Sequence, residues 1–319
     1  MRVAVVVPNW NGRRWLPGLL DSLAAQTRRP DEVVVVDNGS TDGSVELLRS
    51  RDGVRVVELG RNTGFACAAN RGIEAVPSCE AVALVNTDVV LERDWLARAA
   101  GRLERDGGLG SVATKMVRLD DPSVIDDAGD ELRRDGVAHQ RGHGRRDDGR
   151  WDAPGEAFSA CGGAAVYRRA AVLGVGGFDE RLFSYLEDVD LGLRLRLAGW
   201  RCGYEPAVAR HARHGSSGQL SRAVDAWVAR NTVLVVAKAF PLRWIGPVAY
   251  RQASWIAEAA REGRLGEHLR GLAMALPALP ATLRERRRLR RSAVVPIAEV
   301  VPALPWRGPG AGGHPDSSY

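Results

Sequence analysis

AVALVNTD, residues 81–88, decides how the chain is read. Five small apolar residues in a row leave no polar face, so residues 81–85 predict a strand covered on both sides, as strands of a parallel sheet are. Such a strand delivers Asn86 and Asp88 to the carboxyl edge of the sheet, where open α/β folds place their ligands. Working outward, residues 3–7, 32–36 and 54–59 predict three more buried strands. Between them Trp15, Leu16, Leu19, Leu20 and Leu23 recur at helical spacing, as do Val45, Leu47 and Leu48, and later Trp95, Leu96, Ala99 and Leu103. The result is a βαβ series, with Asp42 and Asp94 placed to begin helices as caps or first-turn acids.

The chain has 319 residues, 45% hydrophobic and 26% charged, which excludes a disordered chain and leaves room for one large α/β domain with a C-terminal appendage. A net charge of +6 favours anionic partners and says nothing about fold. Cys67, Cys79, Cys161 and Cys202 are scattered without ligand spacing and are expected as free thiols in a reducing compartment. Residues 1–10 read as a core strand, not a signal peptide. The most apolar late segment, 231–260, is interrupted by Lys238, Pro241, Arg243 and Arg251 and is not a membrane span.

From 120 to 154 the pattern gives way to Asp, Arg, Gly and His, predicting a long loop or a β-ribbon insertion. His139 and His143 are expected to be solvated there, since no acidic or Cys partner keeps ligand spacing with them. Residues 158–167 then read as a strand, with 188–198 and 224–239 as helices. Trp227, Trp244 and Trp255 suit either packing on the catalytic domain or a membrane surface. RERRRLRR, residues 284–291, reads as a solvated basic helix end, with lipid or nucleic acid as lesser readings. The expected organisation is a catalytic unit over 1–220, a helical extension over 221–295 and a disordered tail over 296–319.

Seven motifs occur in order: VVVPNWNG (5–12), VVVVDNGSTDGS (33–44), GRNTGFACAANRGI (60–73), LVNTDVVL (84–91), SACGGAAVYRR (159–169), GGFDERLFSYLEDVDLGLRLRLAGW (176–200) and ARHARHGSSG (209–218). Together they resemble glycosyltransferase family 2, and within it the bacterial rhamnosyltransferase-like members. The resemblance implies a GT-A-like, mostly parallel sheet flanked by helices, with a C-terminal helical extension. It also implies transfer of a sugar from a nucleotide diphosphate, rhamnose or another deoxythymidine- or uridine-diphosphate sugar, to a hydroxyl of a saccharide, lipid-linked or natural-product acceptor.

Read beside that resemblance, the motifs have physical roles. Pro8 and Asn11 lie in the turn after the first strand, where a nucleotide ring or phosphate can approach, although a plain strand-to-helix turn accounts for them equally. Asp37 at a strand end either holds the nucleoside or caps the following helix. Arg61 and a helix starting near Gly64 face an anion through a guanidinium and free amides. The resemblance adds donor contacts from Asn62, Gly64 and Asn70. Cys67, Ala68 and Ala69 stand where related chains carry Gly, Gly and Asn.

Asn86, Thr87 and Asp88 occupy the family's DxD position, with Asn in place of the first acid. Asp88 is therefore the expected ligand for Mn2+ or Mg2+, and Asn86 is left to the ribose or a phosphate. Glu187 and Asp188 match the catalytic acidic pair at the start of a helix: Asp188 is the expected base, Glu187 a holder of the acceptor sugar, and Asp190 a cap or a partner of Arg194 at i+4. The resemblance gives a histidine to the metal, here His211, with His214 as the second candidate. Gly162 and Gly163 permit close approach at the acceptor pocket or a bend in the strand.

The expected chemistry is a direct displacement with inversion. A nucleotidyltransferase or a catalytically silent carbohydrate-binding protein are the competing classes; the former should show a Gly-rich activating loop with Lys or Arg after the first strand, which NWNGRRWLPG (9–18) matches only loosely. The expected partners are the nucleotide-sugar donor and a saccharide or lipid-linked acceptor, with no specific nucleic acid. Cytoplasmic placement is expected, with peripheral contact through the C-terminal region at the inner face of the plasma membrane.

Overall fold

The computed structural model describes residues 1–212 and 221–303. Strands and helices alternate first: β1 (Val3–Asn9), α1 (Leu16–Ala24), β2 (Glu32–Asp37), α2 (Ser44–Arg49), β3 (Val54–Glu58), α3 (Phe65–Glu74), β4 (Ala81–Val85), β5 (Val89–Leu91) and α4 (Trp95–Arg105). There follow β6 (Leu109–Arg118), β7 (Ile125–Asp127), β8 (Asp130–Leu132), β9 (Ala138–Gln140), β10 (Gly155–Ala157), β11 (Ala164–Arg168), α5 (Arg169–Gly174), α6 (Glu187–Leu197) and β12 (Arg201–His211). The last are α7 (Ser221–Ala239), α8 (Ile245–Arg261), α9 (Leu265–Ala275), α10 (Leu279–Ser292) and α11 (Ile297–Val300).

The main sheet runs β10-β12-β6-β11-β4-β1-β2-β3, with β5 on β12 and β7 on β6. The β3-β2-β1-β4 half is parallel, as the apolar runs predict. Beyond β4 the sheet is mixed, because β11 enters antiparallel to both β4 and β6. The expected GT-A-like sheet flanked by helices is present, parallel in that half and mixed beyond it: no helix links β6 to β11, so nothing enforces a right-handed crossover there.

The period of two along β1 divides the core. Val3, Val5 and Val7 join Leu16, Leu19, Trp95 and Leu103 on one face, while Ala4 and Val6 join Ile73, Phe178 and Leu191 on the other. Trp95, Leu96, Ala99 and Leu103 are all fully buried, which makes α4 a strongly amphipathic cover; each large side chain contributes about 1.5–3 kcal/mol by leaving water.

Helix α6 is buried nearly all round, its charged residues included. Leu191 and Leu195 face the sheet, while Val189, Leu193 and Leu197 pack against Leu234, Val235, Phe240 and Trp244 of the extension. The helix is thereby clamped between sheet and extension. Trp227 stacks on Phe183 at 4.9 Å between ring centroids, and Trp244 is buried edge-on against Phe240, so both pack inward.

Three further expectations are corrected. Residues 158–163 are not strand; the Gly162–Gly163 pair breaks the run, and β11 begins only at Ala164. Asp94 heads α4 without a side-chain cap bond and pairs with Arg98 instead. At 296–303 the chain is not yet tail: α11 forms, Val300 and Val301 are buried, and Arg134 donates to the carbonyls of Val301 and Ala298. The insertion folds as short β-ribbons, β7 against β6 and β8 against β9. All four thiols are free, and among the described residues no helix is long and apolar enough to cross a membrane.

Candidate functional site

The carboxyl ends of β1 and β2 carry the first group of residues. Buried Asp37 accepts from Asn9 Nδ2 at 2.7 Å and from the backbone amides of Ser40 at 2.9 Å and Gly39 at 3.2 Å. It therefore builds the turn after β2 and does not cap α2, whose N-cap is Gly43. Asp42 accepts from Ser44 N just inside α2 and from Arg13 N. Exposed Asn11 adopts φ 52°, donates its backbone amide to Ser40 Oγ and accepts from Thr41 N. Pro8 sits beside it in β1, paired with Val36.

Gly39, at φ 76°, lies so close to the Arg61 backbone that no side chain fits between them. That contact brings exposed Arg61 and Asn62 to the same edge. Asn62 Oδ1 accepts from Gly64 N and from Asn38 Nδ2, which also reaches Gly64 O. Gly64, at φ 87°, heads α3 against the ring and carbonyl of Phe183. Asn70 faces elsewhere: its amide donates to Phe178 O at 2.9 Å and Glu180 Oε1 at 3.1 Å and accepts from Phe178 N at 2.8 Å. Its expected donor contact is replaced by a structural tie.

Three strands deliver the second group. His211 stands opposite Val89 in the β12–β5 pairing, and Ala212 N donates to Asp88 O. His211 Nε2 is consequently 3.4 Å from Asp88 Oδ1, while β7, folded back along β6, puts Asp126 Oδ2 at 2.7 Å from His211 Nδ1. Burial pulls the imidazole pKa down, but hydrogen bonds to Asp126 and Asp88 and their charges outweigh it and raise it to about 10. His143, expected in solvent, bonds the Asp126 carbonyl through Nδ1 at 2.7 Å. His214 lies outside the described residues.

Among the described residues, buried Asp88 Oδ1 has no partner besides the His211 imidazole at 3.4 Å. A buried carboxylate oxygen facing an imidazole nitrogen, whose other nitrogen is held by a second carboxylate, suits a divalent cation that would come between the two; the outer carboxylate fixes the ring as outer partners of metal-bound histidines do. Among the described residues no group of three or more His, Cys, Asp or Glu side chains forms a complete cage. Two protein ligands fit an ion whose remaining positions go to phosphate oxygens and water.

The third group sits on the first turn of α6. Half-buried Asp188 accepts from Gly162 N at 3.0 Å through Oδ2 and from Val189 N at 2.8 Å through Oδ1. Gly163 O in turn accepts from Asn86 N at 2.9 Å, so the SACGG loop joins the end of β4 to Asp188. Burial raises the Asp188 pKa, and backbone amides restrain the rise. Glu187 is 6% exposed with Oε2 unpartnered; burial first, then the charge of Asp188, push its pKa well above the usual carboxylate range. Burial and the nearby Asp127, Asp188 and Asp130 likewise keep the Cys161 thiol protonated, which removes it as a nucleophile.

The loop before α6 is held from the extension. Phe183, Tyr185 and Leu186 all have positive φ, and fully buried Asn231 on α7 donates through Nδ2 to the carbonyls of Leu182, Ser184 and Tyr185 at 2.7–2.9 Å. Arg230 adds a bond to Arg181 O. Sequence reading did not assign Asp126, Asp127 or Asn231 to the site. The signal for the acids was there in IDDA, residues 125–128, two carboxylates set among apolar residues inside an otherwise polar insertion.

Edge, cation-ready pair and helix-mounted carboxylate lie along one rim of a mixed α/β sheet, the layout of a GT-A transferase. Residues 4–174 match the family described as glycosyl transferase family 2, and residues 145–254 match glycosyl transferase family group 2. An N-acetylglucosaminyl-diphospho-decaprenol L-rhamnosyltransferase of Mycobacterium tuberculosis is 32% identical over 295 residues, covering 82% of this chain and 94% of the relative. A pre-mycofactocin glycosyltransferase of the same organism is 32% identical over 216 residues, covering 66% of this chain and 42% of the relative. In fold, the chain is similar to GalNAc-T7 solved with UDP, GalNAc and Mn2+, with a TM-score of 0.60, 15% identity and coverage of 76% of this chain and 48% of that one. It is also similar to the mannosyltransferase PcManGT of Pyrobaculum calidifontis in complex with GDP-Man and Mn2+, with a TM-score of 0.54, 22% identity and coverage of 91% and 85%.

The chain belongs to glycosyltransferase family 2. It is an inverting enzyme of the GT-A type that moves a sugar from a nucleotide diphosphate to an acceptor hydroxyl.

Proposed function

We propose that this enzyme moves rhamnose from a deoxythymidine-diphosphate donor to a hydroxyl of a lipid-linked saccharide, with Mn2+ or Mg2+ held by Asp88 and His211. The observation that carries the reading is the buried Asp88 Oδ1 facing His211 Nε2 at 3.4 Å, on the rim that also bears Asp188. The similar M. tuberculosis protein, matched over nearly its whole length, is named for rhamnosyl transfer to a diphospho-decaprenol-linked sugar, and this supports the donor sugar and the acceptor class.

The bound cation supplies positive charge against the diphosphate as it leaves. Arg61, Asn62, Gly64, Asn11 and Pro8 receive the nucleotide, with Asp37 holding the turn beneath it and Asn86 next to the ribose or phosphates. Gly162, Gly163 and Glu187 hold the acceptor sugar. Asp188 takes the proton from the acceptor hydroxyl; the oxygen attacks the anomeric carbon from the face opposite the diphosphate, and the broken bond's electron pair departs with the diphosphate. Inversion follows from the single displacement. The C-terminal helices bring the rim to the inner membrane face, where a lipid-linked acceptor is presented.

A thermal-shift panel tests the donor. Deoxythymidine-diphosphate rhamnose with Mn2+ is expected to raise the unfolding temperature more than uridine- or guanosine-diphosphate sugars, since ligand at about a hundred times its Kd adds about 2.7 kcal/mol. Equal shifts across the panel overturn the donor assignment. Transfer of labelled rhamnose to a short-chain prenyl-diphospho-N-acetylglucosamine tests the acceptor class.

A further inference from the structure

At the other end of α6, about 15 Å along the helix from Glu187, a groove of ≈ 1220 Å³ opens between the 173–181 segment and α10. Five arginines line it: Arg181 and Arg194 on one side, Arg284, Arg288 and Arg291 on the other. The three on α10 are spaced by four and three residues and share one helix face. The acids in the lining are already engaged. Asp179 pairs with Arg181 and Lys238, Glu285 with the same two cations, and Glu180 with Arg71. Among the described residues, Arg284, Arg288 and Arg291 have no carboxylate partner, so the lining has an excess of unpaired positive charge.

Arg194 supplies an independent pointer. Its side chain is 4% exposed; Nε donates to Asp190 at 2.7 Å and Nη1 to the carbonyls of Val175 at 2.9 Å and Gly177 at 2.7 Å. Among the described residues Nη2 is buried without a hydrogen-bond partner. A guanidinium nitrogen out of water and unbonded costs about 1–3 kcal/mol, and an anion in the groove removes that cost. Leu173, Leu197 and Leu289 add an apolar wall.

We propose that this groove is a second, non-catalytic site for a phosphate-bearing anion of about diphosphate size, bound by Arg194 below and by Arg284, Arg288 and Arg291 on the rim. Guanidiniums match phosphate oxygens in pairs, and the groove holds more than one phosphate. The same chemistry belongs to a soluble diphosphate and to an anionic lipid headgroup, whose chain the leucine wall accommodates.

Isothermal titration of the full-length enzyme with inorganic pyrophosphate, in chelator to silence the cation site, reads binding directly. Saturable binding is expected, weakened about tenfold or more by R284Q/R288Q/R291Q and several-fold by R288Q alone. R287Q, on the same helix but outside the lining, is expected to bind like the parent. Flotation with phosphatidylglycerol and phosphatidylcholine vesicles separates the sources: arginine-dependent binding to the anionic vesicles, competed by pyrophosphate, assigns a headgroup, and pyrophosphate binding alone assigns a soluble ligand. Turnover on a soluble acceptor stays unchanged in the triple variant, which keeps this result apart from the donor and acceptor assignments. Pyrophosphate and vesicle binding that is absent, or equally reduced by R287Q, overturns the proposal.

Discussion

Asp188 accepts two backbone amides at the start of α6, and burial still raises its pKa above the ordinary aspartate value of about 3.9. As the proposed base it works with its proton off, so activity is expected to fall as pH drops through that raised pKa. The acid limb of kcat/KM is expected above the ordinary aspartate range. Asp188→Asn removes the proton acceptor while keeping an oxygen for the amides; turnover should fall about a thousandfold, the acid limb should vanish, and donor affinity should hold. Full turnover in that variant removes Asp188 from the role of base. Asp126 acts through His211, fixing which ring nitrogen faces Asp88. Asp126→Asn is expected to weaken Mn2+-dependent donor binding about 10–100-fold, with kcat recovered at saturating metal; an unchanged Mn2+ titration removes Asp126 from this role.

At the scale of elements, α7 works on the segment it does not belong to. One Asn231 amide gathers three carbonyls of a loop in which Phe183, Tyr185 and Leu186 all occupy the left-handed region, a conformation that costs energy unless its surroundings hold it. The carboxylates follow directly after that loop. Asn231→Leu keeps the volume and loses the donors, so the loop should relax and kcat should fall about tenfold or more, with donor KM and helical circular dichroism preserved. A fall in KM and kcat together with lost helicity means that α7 only supports the fold.

Across the whole molecule, the extension and the catalytic sheet share an ionic core. Lys238 on α7 is fully buried, 2.5 Å from both Asp179 and Asp190, and Asp190 also takes Arg194. The Asp190–Arg194 pair was predicted from spacing; the lysine was not. Burial alone would raise the Asp179 pKa, but its hydrogen bond with Arg181 and the charge of Lys238 hold it below the usual carboxylate range. Lys238→Ala leaves two buried carboxylates short of a cation and is expected to lower unfolding stability by about 3–5 kcal/mol in a urea titration. A loss under about 1 kcal/mol shows that the pair is compensated by solvent and that the extension is held by its apolar contacts alone.

By itself the sequence determined the local order of the molecule: four parallel strands, the helices between them, the motif order that marks the family, and the acidic pair at the head of α6. Such information is written in periods of two and 3.6 residues and in contiguous motifs, which neighbours along the chain are enough to specify. Only the tertiary structure decided that β11 runs backwards, that Asn70 ties down residues 178–180, that Asp126 of the insertion reaches His211, and that Asn231 holds the loop in front of Asp188. Each of these joins residues separated by tens of positions through strand register or a buried amide, and pairing across such distances follows from how whole elements pack.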